Sequence, residues 1–138
     1  MKYISKILSV IALLFICYAP FQVSAFEYPQ YLYGNDQIQL AYAHWGYGTY
    51  VDKTSVVDEL YSPPYYKAAA NIITYDFDNN RVYDIETQYF SYNTDEGSIY
   101  IDNYGPYYNR PDSQPAAKQR PVEVAKIVWE ATYHTEWN

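Results

Sequence analysis

The chain has 138 residues, a net charge of −7 and twenty tyrosines, against a single cysteine. That length suits one domain. Lys and Arg are scattered on an acidic background, which makes nucleic acid and anionic membrane surfaces poor partners, since both are polyanions. One cysteine also excludes an intramolecular disulfide and any multi-thiolate metal site.

Residues 1–25, MKYISKILSVIALLFICYAPFQVSA, have the layout of a secretory signal peptide. Lys2 and Lys6 make a basic start, Ile7 to Tyr18 is the apolar run, and Val23-Ser24-Ala25 offers compact residues for cleavage before Phe26. The run is short for a membrane span, and Pro20 follows it. Lipidation at Cys17 is the alternative membrane attachment. It is disfavoured by Ile16, where a small residue is wanted. The expected exported part, 26–138, has no cysteine; its seven Lys and Arg stand against sixteen Asp and Glu, a charge of −9. Tyr3 and Tyr18 fall in the signal, which leaves eighteen tyrosines to hold the domain together by aromatic packing. The expected location is secreted, periplasmic or on a bacterial cell envelope.

In chain order, the aromatic stretch Phe26 to Tyr33 ends at the turn signal Gly34-Asn35-Asp36. Gln37 to His44 alternates, with Ile38, Leu40 and Tyr42 on one face, and reads as the first regular strand. Trp45, Tyr47 and Tyr50 are interleaved with Gly46 and Gly48, which interrupt pairing and let a backbone or ligand approach closely. Thr49 to Asp52 reads as the next strand, Lys53-Thr54-Ser55 as a turn, and Ser55 to Tyr61 as renewed extension stopped at Pro63-Pro64. Lys67 to Asn71 holds three alanines that suit a helix start. The β-prone Ile72 to Tyr75 and the following Asp78-Asn79-Asn80 turn favour a strand instead.

From Ile72 to Asp102, three alternating runs are separated by Asp78–Asn80 and Asn93–Gly97, the pattern of an antiparallel meander. In its middle run Tyr83, Ile85, Thr87 and Tyr89 make the apolar face, and Asp84, Glu86 and Gln88 the polar one. Pro106, Pro111 and Pro115, with Pro121 just after, mark 103–120 as a loop or extended arm on the surface. Pro121 suits the first turn of a helix over 121–137, with Glu123 near its positive end. Val124, Ile127, Val128 and Ala131 form its apolar stripe, flanked by Ala125, Trp129 and Tyr133. The fold expected is α+β: a twisted antiparallel sheet of about five to seven strands in meander order, with one C-terminal helix packed on it.

Little in the chain points to catalysis. The two histidines, His44 and His134, lie far apart, no serine has a nucleophile-elbow context, and no zinc-binding His-Glu pattern occurs. No catalytic residue, metal ligand or cofactor is therefore nominated. Asp76, Asp78 and Asn80 share the spacing that opens a calcium loop, but the sixth position is Arg81 rather than glycine and the twelfth is Thr87 rather than glutamate. A hairpin turn explains them equally. Two aromatic groups are candidates for ligand binding: Trp45, Tyr47 and Tyr50 beside glycines, and Tyr104, Tyr107 and Tyr108 beside Gly105 and Pro106. Rings on a stiff loop stack on sugars or on apolar side chains at low entropic cost. The same rings also fill cores and cover sheet edges.

The segments YGTYVDKTSVV, YSPPYYKAAANIITYDFDNN and YFSYNTDEGSIYID, from Tyr47 to Asp102, resemble small exported proteins of anaerobic Firmicutes that have an outer membrane. They are also distantly similar to surface-adhesin-like envelope proteins, through Tyr50, Val51, Asp52, Thr54, Ser55 and Val56. The resemblance implies an envelope location and a β-rich fold rather than a reaction. The proline-rich segment after Tyr108 departs from it. The function expected is a non-catalytic binding or adhesion module, its partner a glycan or an envelope protein. The alternatives are a structural protein that associates through sheet edges, and an envelope hydrolase with no identifiable nucleophile.

Overall fold

The computed structural model describes residues 27–102, 105–108 and 116–137. The expected signal peptide, Cys17 and Tyr104 lie outside them. A 3-10 turn at Leu32–Gly34 precedes β1 (Ile38–His44), β2 (Tyr47–Ser62), β3 (Tyr65–Asp76), β4 (Arg81–Asn93), β5 (Ser98–Ile101) and β6 (Gly105–Tyr108). The helix α1 (Ala116–Tyr133) follows. Among the described residues the strands form one six-stranded antiparallel sheet in sequence order, with α1 packed on it. The chain is an α+β protein of meander topology.

The turns are made by the residues that tolerate them. Asn80 and Gly97 adopt φ of 51° and 60° at the β3–β4 and β4–β5 turns. Asn93 Oδ1 accepts the N–H groups of Asp95 and Glu96 at 3.1 and 3.3 Å. Ser62 and Tyr65 flank a cis Pro63-Pro64 bond between β2 and β3. The three alanines belong to β3, where Ala68 and Ala70 lie fully buried under the helix side of the sheet. Small side chains there let α1 approach closely.

The helix-side core gathers Val51, Ile72, Phe90, Tyr92, Ile99 and Ile101 from the sheet against Val124, Val128 and Trp129. Tyr92 donates from its hydroxyl to the Ala125 carbonyl at 2.7 Å, which ties helix to sheet. The apolar stripe expected on the helix is the one that is buried, but the helix bounds differ. It starts at Ala116, so Pro121 and Glu123 sit inside it; Glu123 pairs with Lys126 at 3.5 Å instead of facing the first turn. It stops at Tyr133, because His134 turns left-handed (φ 55°) while its N–H still bonds Glu130. That reversal brings Trp137 back to within 4.8 Å of Trp129 and 5.3 Å of Tyr92. The expected loop at 103–120 is also corrected: it contributes β6 and the first turn of α1. Pro106 is compatible with β6 because, among the described residues, that strand is the edge of the sheet.

A second, smaller core lies on the opposite face: Leu32, Tyr50, Ile73 and Tyr75, with Ile38, Leu40 and Phe77 beside them. The segment from Tyr28 to Tyr33 covers it. Leu32 is buried, Tyr33 meets Tyr75 edge-on at 5.6 Å, and the Tyr50 hydroxyl donates to the Pro29 carbonyl at 2.9 Å.

Two readings of the strands are overturned. Lys53-Thr54-Ser55 is not a turn between strands, since β2 runs unbroken through it. Pairing jumps from Asp52↔Asn71 to Val57↔Ala69, so residues 53–56 oppose Ala70 alone. Local side chains replace the missing ladder bonds. Asp52 Oδ1 accepts the Thr54 N–H and hydroxyl at 3.0 and 2.6 Å; Ser55 Oγ donates to the Asp52 carbonyl and accepts the Asn71 N–H at 2.8 Å. Asp52, Thr54 and Ser55 therefore form a bulge. The second correction concerns β4. Tyr83, Ile85, Thr87 and Tyr89 are exposed, whereas Gln88, Phe90 and Tyr92 are buried. Alternation marks two faces of a strand, and the position of α1 decides which one is covered.

Candidate functional site: an aromatic ledge at the first hairpin

β1 and β2 are joined by two residues only, Trp45 and Gly46, with φ of 47° and 79°. Positive φ at both central positions is the signature of a type I′ hairpin turn, which matches strand twist and favours Asn-Gly or Gly-Gly. A bulky aromatic at the first position is unfavourable for the backbone. Yet the Trp45 side chain gains no burial there; it is 84% exposed.

The neighbours of Trp45 are also aromatic. Its ring stacks on His44 at 4.5 Å with 24° between planes, and His44 lies 6.2 Å from Tyr42. Tyr47 meets Tyr83 edge-on at 5.6 Å, and both are exposed. The register explains the grouping, because cross-strand partners share a face. Tyr42, Thr49, Thr74 and Asp84 make one row across β1–β4; His44, Tyr47, Asp76 and Arg81 make the next. The preceding row holds Val51 and Ile72, which belong to the helix-side core. The ledge is thus the continuation of the helix-side face past the end of its core.

The turn is held from below. The Gly46 N–H donates to the Tyr28 hydroxyl at 2.8 Å, and its carbonyl accepts the Phe77 N–H at 2.8 Å. A Cβ on Gly46 would lie 2.7 Å from Asp78 Oδ2, so this carboxylate packs directly against the tip. Asp76 serves the turn itself. Its carboxylate accepts the Asn79 side-chain and main-chain N–H groups at 2.7 and 3.1 Å, and the Asn79 side-chain bond holds its pKa below the usual carboxylate range. Asn80 Oδ1 accepts the Tyr75 hydroxyl at 2.6 Å. Asp76 and Asn80 thus direct their oxygens to Asn79 and Tyr75 within the turn, while the Asp78 carboxylate packs against Gly46. Among the described residues no group of three or more His, Cys, Asp or Glu side chains is placed to hold a metal ion.

Of the six aromatic residues singled out by sequence, Trp45 and Tyr47 stand on this ledge. Tyr50 does not: it is fully buried, bonded to Pro29, and its phenol pKa is pushed up to about 12 by burial. It is a core residue with no face to offer a ligand. Gly48 lets the core close there, since a Cβ would lie 2.6 Å from the Tyr50 ring and 2.8 Å from Phe77. Tyr107 and Tyr108 lie in β6, their backbones paired with Ile99 and Ser98 at the far edge of the sheet from β1, so the two aromatic groups do not form one site. Sequence reasoning missed Tyr42, His44, Tyr83 and Asp84 as members of the ledge. The Trp-Gly pair at a hairpin turn is the signal available, because that turn favours Asn or Gly at its first position and the indole gains no burial there.

No family model matches the sequence, and no curated protein or solved structure matches it either.

Proposed function

We propose that this chain is an exported, non-catalytic binding module of the bacterial cell envelope, whose first hairpin stacks on a sugar of a glycan. The observation that carries the reading is Trp45: an almost fully exposed indole on a left-handed backbone, stiffened by its stack on His44. Conformations of this kind persist where function uses them. The chemistry also fits a sugar. Indole and phenol faces cover the C–H face of a pyranose, while the carboxylates of Asp78 and Asp84 accept hydrogen bonds from its hydroxyls. The envelope location rests on the signal-like N-terminus and on the resemblance to exported Firmicute proteins.

The three tryptophans make the test direct. Trp129 and Trp137 are buried, so a soluble quencher reaches Trp45 alone. Cell-wall and neutral oligosaccharides that bind as proposed protect the exposed fluorescence from acrylamide, and calorimetric titration with the same oligosaccharides shows no binding to Trp45→Asn. A panel in which no glycan protects Trp45 sinks the proposal. One observation favours the assembly reading: the helix-free face also exposes Val57, Ile85, Tyr89 and Tyr100. Concentration-dependent association in sedimentation, unaffected by sugar, would support assembly instead.

A further inference from the structure

A groove of about 480 Å³ lies between β1–β2 and the C-terminal end of α1, and a space of about 360 Å³ continues it toward Glu123 and Lys126. The two share Gln39, Ile127, Glu130 and Glu136 as lining. The first volume falls within the range typical of small-molecule sites. We propose that this groove binds a short peptide with both termini free, its carboxylate on Lys53 and its ammonium on Glu130 and Glu136.

Lys53 lines one wall, and Glu130 and Glu136 line the other. Opposite charges in one cavity normally quench each other, but these do not meet: among the described residues the only ion pair is Glu123–Lys126. Separate features fix the two walls. Lys53 belongs to the β2 bulge; its N–H is held by the Gln37 carbonyl at 2.8 Å, and Asp52 caps the following residue. Glu136 is placed by the left-handed reversal at His134 and by the burial of Trp137. The backbones of the two walls are thus anchored separately, and Lys53 Nζ lies over the Tyr31 ring, 6.0 Å from its centroid, rather than on either carboxylate. A ligand with both charges on one short frame satisfies both walls.

The floor suits a peptide bond between those charges. The Gln37 amide donates to Asp36 Oδ1 at 3.0 Å and keeps its carbonyl as an acceptor. The Gln39 amide, shared by both spaces, makes no hydrogen bond among the described residues and offers a donor and an acceptor together. Ile127 and Ala131 give a narrow apolar strip for a small side chain. This site is separate from the aromatic ledge and does not depend on the glycan reading.

The test is calorimetric titration of the whole protein at low ionic strength, where half-exposed charges are least screened. The probes are L-alanyl-L-alanine, its N-acetyl derivative and its C-terminal amide. The expected result is binding of the free dipeptide, weakened about tenfold by either cap, as for loss of one hydrogen bond to a charged group. In Lys53→Met the free acid and the amide should bind equally, and in Glu130→Gln/Glu136→Gln the N-acetyl form should bind as well as the free amine. The substituted side chains are exposed or half-buried, so melting temperatures report whether each variant is folded. Equal affinity for all three probes, or no binding of any, overturns the proposal. Loss of dipeptide binding in Trp45→Asn also overturns it, by moving the peptide to the hairpin.

Discussion

Trp45→Asn separates stability from binding, because the two should move in opposite directions. The substitution converts the hairpin turn from Trp-Gly to Asn-Gly, the pair that type I′ geometry favours most. A non-glycine residue in the left-handed region costs about 1–2 kcal/mol, and Asn is among the residues that tolerate it best. Against this gain stands the lost stack on His44 at 4.5 Å. Aromatic pairs contribute about 0.5–1.5 kcal/mol, and a ring 84% exposed belongs at the low end. The net expectation is a stabilisation of about 0.5–1 kcal/mol. For a domain of this size it raises Tm by about 2–6 °C, by calorimetry or a dye-free thermal melt. The same variant should lose all measurable glycan affinity in calorimetric titration. A variant that melts several degrees lower would show that the indole supports the fold and that its left-handed backbone is no mark of function. A more stable variant that still binds glycan would remove Trp45 from the site.

Other expectations follow from the cores. Trp129→Ala should cost about 3–5 kcal/mol, since the ring is 5% exposed and packs on Tyr66, Tyr92, Tyr133 and Trp137. Trp129→Phe should cost about 1 kcal/mol or less, because it also removes a buried indole N–H that has no acceptor among the described residues, a defect of about 1–3 kcal/mol. Equal losses for the two in chemical denaturation would refute that account. Gly48→Ala should lower the urea midpoint by an amount equivalent to about 1–3 kcal/mol, with m unchanged. Its Cβ would press on the Tyr50 ring, which the bond to Pro29 keeps from moving away. Alkaline pH should destabilise the fold. Burial raises the phenol of Tyr50 to about 12, raises Tyr92 well above 10, and, together with acceptance by Asp58, raises Tyr133. The unfolded chain releases these protons near pH 10, so this stability is intact below pH 10 and is lost as pH rises through 12. Tm measured from pH 9 to 12 should fall, and less steeply in Tyr50→Phe; an identical slope in the two would remove Tyr50 from the explanation.

Local chemistry made much of the fold legible in the sequence. Asp, Asn and Gly at 78–80 and 93–97 mark chain reversals because they tolerate positive φ, and the structure reverses at both. Alternation from Ile72 onward and the wide apolar stripe around Val128 gave strands, helix and their order. The faces were decided elsewhere. Tyr83 and Ile85 alternate like core residues, yet α1 does not cover their part of β4; Tyr50 looks like a ligand-binding ring beside Gly48, yet the segment from Tyr28 to Tyr33 folds over it. The bulge after Asp52 has the residues of a turn and became a strand interior because Asn71 reaches Ser55 across the sheet. The ledge likewise needed four strands in register to bring Tyr42, Tyr47 and Tyr83 beside Trp45. Propensity and turn chemistry act over a few residues and are carried by the sequence. Which side of a sheet is buried depends on contacts between segments far apart in the chain, and only the tertiary structure contains those.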